Sequence, residues 1–252
     1  MRISMEKLQA GVLGAIGILL FLGLWEVIGV NRMAGLTWPP LSTVITFMFD
    51  PSRQALFLRA MGASFSMVAA GYALGTLIGV VTAGLVHVVP VLRPGLDRLA
   101  GVIHAIPAIA LAPLFIVLLD RELTGMAIAT LNVFFVLYVA TTSGLANSTA
   151  THRDLFQVLG SSPLTRLLRL DLPAALPAMV SGLKFAIPAA FIGAILGEWF
   201  GSSRGLGLLM VSAMQNFQIP LLWSAVFIAS AASLLAFGAM SLLERFVYGR
   251  YA

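Results

Sequence analysis

The sequence predicts an all-α integral membrane protein of about six transmembrane helices. Composition, the length of the apolar runs and the placing of the basic residues carry that expectation. Of 252 residues, 60% are hydrophobic and 10% charged, whereas a soluble domain has roughly 25% charged. A water-soluble globule of this size must expose part of its surface, and this chain has too few polar side chains to cover it. Six stretches reach the roughly 20 apolar residues of a spanning helix: about 8–30, 63–86, 99–119, 123–145, 174–197 and 221–243. None alternates in polarity as barrel strands do. In lipid a backbone must satisfy its own hydrogen bonds, which favours helices.

Each element has its own signal. The first run is too long for the apolar region of a cleaved signal peptide and reads as a span that stays in place. Only Asp120-Arg121-Glu122 separates the third and fourth runs, so they form a hairpin. Between the first and second, Trp38-Pro39-Pro40 precedes Leu41-Ser42 and an apolar stretch ending at Asp50-Pro51. That is a helix-start signal followed by a stop, and it predicts a short amphipathic helix at the outer interface or a re-entrant packing segment. Residues 1–62 therefore form an N-terminal span with an outer-face segment, and 63–252 a core of five spans. Basic residues orient the chain. With the N-terminus inside, the inner segments hold Arg2, Lys7, Arg93, Arg98, Arg153, Arg166, Arg169, Arg245 and Arg250. The outer segments hold Arg32, Arg53, Arg59, Arg121 and Arg204, and Lys184 belongs to neither. Both termini are thus expected to be cytoplasmic, in a multi-pass protein of the inner or plasma membrane.

The most polar part of the chain is 147–173. A short helix fits 151–159, ended by Gly160 as a C′ glycine. Ser161-Ser162 then offers an N-cap and Pro163 an N1 residue. A second helix, 164–170, places Arg166 and Arg169 on neighbouring faces, and Pro173 breaks the chain before the fifth span. A folded, basic loop on the inner face suggests a docking surface, with the two arginines facing an acidic partner or lipid phosphates.

Charged residues within spans point to function by default. Lys184 and Glu198 are such residues, possible parts of a solute pathway. Fourteen residues of helix separate them by about 21 Å, so they do not pair with each other. Glu26 belongs near the outer interface. His104 is expected to hydrogen-bond between helices, and Pro107, Pro113 and Pro188 are potential kinks. Gly71, Gly75 and Gly79 put one small face on the second span. With no cysteine and three scattered histidines, there is no metal-ligand spacing. The basic residues sit at span ends rather than in a soluble patch, so nucleic acid is not expected. No Gly-x4-Gly-Lys-Ser/Thr phosphate loop occurs.

The 154–173 stretch resembles the cytoplasmic signature of binding-protein-dependent ABC-importer permeases: Glu-Ala-Ala, three residues, Gly, nine residues, Ile-x-Leu-Pro. Gly160 is followed by nine residues and then Leu170-Asp171-Leu172-Pro173. Asp154 keeps the acid, while Leu155 and Phe156 stand where the family has alanines. Trp38-Pro39-Pro40-Leu41-Ser42, the run Ile106 to Leu114, and Gly197-Glu198 through Gly205-Leu206-Gly207 resemble the sulfonate, taurine and nitrate branch.

The resemblance implies a type I importer permease fold and an ATPase-docking loop made of Asp154, Leu155, Phe156, Gly160, Ser161, Ser162, Pro163, Arg166, Arg169, Leu170 and Pro173. It implies a second permease, a copy of this chain in a homodimer or a close relative, with cytoplasmic ATP-binding subunits and an extracytoplasmic binding protein. The solute would be small, polar and anionic. This chain would hold no cofactor and catalyse nothing, with ATP and magnesium on the partner. The alternative is a secondary transporter or channel working without an ATPase, although no half-repeat of that kind is visible. An intramembrane serine enzyme would have to join Ser64 or Ser66 to His104.

Overall fold

A computed structural model describes residues 2–251. Met1 and Ala252 lie outside the described residues, as do the side chains of Arg2 and Lys7 used above for orientation. The helices are α1 (Arg2–Val30), α2 (Leu41–Met48), α3 (Gln54–Val88), α4 (Arg93–Ala105), α5 (Ala108–Leu118) and α6 (Arg121–Leu145). Then follow α7 (Ala150–Val158), α8 (Pro163–Arg166), α9 (Leu172–Gly201), α10 (Leu206–Gln215) and α11 (Ile219–Tyr251). Among the described residues five helices are long and apolar enough to cross a membrane, or six if the bent pair α4–α5 is one span.

Three expectations are corrected. The third span is not one helix: α4 and α5 meet at 96°. Pro107 disfavours helix at Ile106, and both residues are extended, with ψ of 122° and 124°. The second span starts well before residue 63, because Asp50 caps a 3-10 turn at Pro51–Arg53 that leads into α3. Asp50 accepts from the Ser52 amide at 2.9 Å and hydroxyl at 2.7 Å. The Ser52 hydroxyl, then its amide, hold that carboxyl below its ordinary pKa. Finally, Pro173 does not break the chain. A π-turn at Leu167–Asp171 carries α8 into α9, with the Leu172 amide bonded to the Leu167 carbonyl. The wider turn and a place in the first turn of α9 relieve the usual proline clash.

The chain divides into two compact units: residues up to Leu58 with Leu209–Phe227, and Arg59–Leu208 with the chain from Ile228 onward. In the first unit, the Trp25 ring lies 4.2 Å from Trp38 and 4.8 Å from Trp223 between centroids. Its indole donates to the Pro39 carbonyl at 3.1 Å. A Cβ on Gly29 would lie 2.6 Å from the Pro40 Cα, so glycine allows the two prolines to press on α1. Pro40 gives α2 no side-chain cap. Glu26 supplies one, accepting from the Ser42 amide at 3.0 Å and hydroxyl at 2.6 Å.

The second unit is built on α6 and α9. Apolar side chains gain little by leaving lipid for another helix, so close backbone approach drives association. A Cβ on Gly193 would sit 2.6 Å from the Ala129 Cα, and one on Gly182 2.5 Å from the Ala140 Cβ. On α3, Gly71, Gly75 and Gly79 meet α6 in the same way, with added Cβ atoms 2.6–2.8 Å from Ala129, Thr130 and Phe134. Met67, Val133, Leu137, Ile187, Phe191 and Ala194 fill the core between these helices.

Gly193→Leu is expected to cost about 1–3 kcal/mol by overpacking. The midpoint of thermal unfolding in detergent should fall by several degrees. Gly238, with nothing within 4 Å of its Cβ position, is the control: Gly238→Leu should leave the midpoint unchanged.

Candidate functional site

The 147–173 segment is a stiff, capped loop. Thr149 caps α7, its hydroxyl accepting from the His152 amide at 3.4 Å. The helix ends in a Schellman motif: the Gly160 amide donates to the Gln157 carbonyl and the Ser161 amide to that of Phe156, both at 3.0 Å. Gly160 has φ +65° and open space around it, so its glycine is required by conformation and not by crowding. The Ser161 hydroxyl also donates to the Phe156 carbonyl, at 2.8 Å. Ser162 caps α8, accepting from the Thr165 amide at 3.2 Å, with Pro163 at N1.

The exposed face of this loop is apolar. Leu155, Val158 and Leu159 share one side of α7 at helical spacing and are 52%, 85% and 71% exposed. Leu164 and Leu168 extend the patch, with Arg153, Asp154 and Arg169 exposed beside it. Phe156 is half-buried, as is Leu170. The two arginines separate: Arg169 is exposed, while Arg166 turns inward and its Nε donates to Asp171 Oδ2 at 3.3 Å.

Asp171, unremarked in the sequence apart from its place in the signature, is fully buried. His87 Nε2, at the end of α3, lies 2.7 Å from the same oxygen. The Ser148 hydroxyl faces this carboxylate without a well-formed hydrogen bond. His87 and Asp171 are 84 residues apart, so no sequence spacing announces the contact; an acid within an apolar run was the available signal.

Lys184 and Glu198 have separate partners. Lys184 Nζ donates to Glu244 on α11 at 2.5 Å. The Ser181 hydroxyl donates to the other oxygen of Glu244 at 2.7 Å and lies 3.2 Å from the Tyr248 hydroxyl. Glu198 is fully buried and accepts from the Gly207 amide at 2.6 Å, next to the N-terminus of α10. Ser64 accepts from the Leu206 amide at 2.8 Å. A carboxylate and a hydroxyl thus satisfy free amides at a helix start. A Cβ on Gly205 or Gly207 would run into the Glu198 side chain, which gives the Gly-Leu-Gly run its physical reason. Glu122 ties the start of α6 to the same region, accepting from the Ser203 hydroxyl at 2.5 Å.

Contrary to the expectation above, His104 makes no hydrogen bond between helices among the described residues. It is exposed and stacks on Phe135, with centroids 3.7 Å apart and planes at 3°. The bend at Pro107 frees α4 to lay this ring flat on α6. His104, Phe135, Ser143, Ser181, Phe185 and Tyr248 help line an open cavity of about 530 Å³. A neighbouring cavity of about 510 Å³ reaches Arg93, Asp97, Tyr138, Thr142 and Asn147, and shares Phe135, Val139 and Ser143 with the first.

The family described as binding-protein-dependent transport system inner membrane component matches residues 75–248. A probable ABC transporter permease protein of Haemophilus influenzae is 37% identical over 180 residues, covering 71% of this chain and 74% of the relative. A formylaminopyrimidine transport permease protein of Halalkalibacterium halodurans is 30% identical over 229 residues, covering 90% of each. Among solved structures, an inward-facing form of the MetNI methionine ABC transporter is similar with a TM-score of 0.69 at 18% identity. The match covers 79% of this chain and 99% of that one. That likeness concerns the fold.

Gly160→Val should cost the loop about 1–2 kcal/mol through left-handed strain. Amide exchange at Gly160 and Ser161, followed by mass spectrometry, should quicken accordingly. Gly160→Asn should keep most of the protection, since asparagine tolerates that conformation.

Proposed function

This chain belongs to the binding-protein-dependent transport system inner membrane components, and from that membership we propose that it is the permease subunit of an ABC importer for a small polar, anionic solute. The observation that carries the reading is the 147–173 loop, capped at each helix end, with an exposed apolar ridge beside Arg153 and Arg169. An apolar ridge with a charged rim suits a groove on a soluble partner. In this reading two cytoplasmic ATPase subunits dock on the loops of two permease copies. ATP and magnesium are held by those partners. An extracytoplasmic binding protein delivers the solute, and ATPase closure drives the loops so that the path opens alternately to either side. The loop and both termini then lie in the cytoplasm, in agreement with the excess of basic residues there.

The solute class draws support from relatives named for aliphatic sulfonates in Bacillus subtilis, bicarbonate in Synechocystis and nitrate in Synechococcus elongatus. The formylaminopyrimidine relative widens the class to small polar heterocycles. The two adjoining cavities are the stretch of wall best suited to the path. Lys184 acts there at one remove: Glu244 neutralises it and accepts from Ser181, and Ser181 with its neighbour Tyr248 faces the cavity. Glu198 acts by fixing the start of α10.

Leu155→Asp places a charge on the ridge and should weaken retention of the ATPase by at least about tenfold, as loss of a central apolar anchor does. Co-purification from membranes measures it. Solute uptake by this chain alone in liposomes, without ATP, would overturn the importer reading in favour of a secondary transporter or channel.

Lys184→Met leaves Glu244 unpaired and should lower the yield of folded protein, whereas Lys184→Met with Glu244→Leu should restore it. Retained uptake in the folded double variant is the expected result. A folded double variant without uptake would assign Lys184 a direct part in attracting the solute.

A further inference from the structure

We propose that Asp171 is a positioning residue that latches the 147–173 loop to α3, so that displacement of the loop moves α3 together with α9. This rests on the docking reading above. Covalently the loop leads into α9, since α8, the π-turn and α9 follow one another without a break. It has no such link to α3, which ends at Val88 and continues into α4. The carboxylate of Asp171 supplies one. A single oxygen, Oδ2, meets Arg166 from α8 at 3.3 Å and His87 from α3 at 2.7 Å. Three elements therefore converge on one buried atom.

Burial makes the contact exacting. Asp171 is fully buried and His87 is 20% exposed at its side chain, so breaking the contact leaves a carboxylate in a poor solvent. The loop is thus held in one place relative to α3. The π-turn is where this carboxylate is presented, and π-turns inside helices occur often at functional positions. Beyond His87, α3 meets α6 through Gly71, Gly75 and Gly79 so closely that no Cβ would fit between them. A push on the loop reaches α6 by this route as well as through α9. Packed helices of this kind move as units.

The test uses the complex of permease and ATPase purified together. The chain has no cysteine, so spin labels are introduced cleanly at two exposed positions, Leu92 beyond the end of α3 and Gln157 on the loop. Their distance distribution is measured with and without ATP–vanadate. In the parent protein it should stay narrow in both states, because loop and α3 travel together. Asp171→Asn keeps the volume and removes the charge; His87→Ala removes only the tie to α3. Both should retain the ATPase at parental stoichiometry, and the distribution should widen about twofold, a readout of local freedom. Asp171→Glu should narrow it again in part.

A parental distribution in either variant that retains the ATPase would overturn the latch. So would loss of folded protein in both variants, which would mark the cluster as structural only. Failure of the parent chain to retain any ATPase would instead overturn the docking reading. The nucleotide-free distances would still judge the latch.

Discussion

Close approach of backbones across α3, α6 and α9 is the constraint on which the second unit depends. In water a leucine-rich face would hold helices together; in lipid the same face has no preference for a neighbouring helix over an acyl chain. What remains is dispersion over a large, well-fitted contact, and that requires small residues where helices meet. Gly182 and Gly193 on α9 face Ala140 and Ala129 on α6. Gly144 on α6 faces Ala175 and Ala178 in return. Each glycine costs helix propensity in water, but in lipid the backbone has no competing hydrogen-bond partner. The result is a core of three helices with little freedom to shear.

That core fixes where polar groups can lie. A charged side chain in or beside it needs a partner, and three such side chains find one on another element. Lys184 on α9 takes Glu244 on α11. Asp97 on α4 accepts from Tyr138 on α6 at 2.5 Å. Glu198 takes the Gly207 amide at the start of α10. Glu244 neutralises Lys184 beside the cavity near His104, which is walled by aromatic rings, hydroxyls and small apolar side chains. An anion crossing such a wall would be held by hydroxyl and amide dipoles more than by a fixed cation.

Hydropathy alone made the long apolar helices legible, because crossing lipid demands a length that few other structures need. The caps of the loop were legible too: Gly160, Ser162 and Pro163 each have a local conformational reason that holds whatever surrounds them. The bend at Pro107 was legible only as one of three potential kinks and not in its sharpness, since an apolar run reads the same whether straight or folded back, and Pro107 looks no different from Pro113, which stays inside α5. Nor was the passage through Pro173, where a π-turn absorbed the clash. The latch at Asp171 depends on His87, which local pattern cannot reach. Helix α10 was hidden because its cap comes from Glu198, a residue in the preceding span.

The substitution of Leu155 and Phe156 for alanines in the signature becomes intelligible once their directions are known. Leu155 points outward and joins Val158 and Leu159; Phe156 is half-buried, and its carbonyl accepts from both the amide and the hydroxyl of Ser161. The bulk is therefore divided between the exposed ridge and the footing of the loop. On the docking proposed above, a larger outward side chain needs a deeper groove on the partner, so an ATPase matched to alanine at this position would meet Leu155 too early. Affinity would then distinguish the matched ATPase from relatives by steric exclusion, a form of specificity that needs no extra polar contact. The stiffness of the loop makes this exclusion effective, because a loop free to tilt would let the leucine escape the clash.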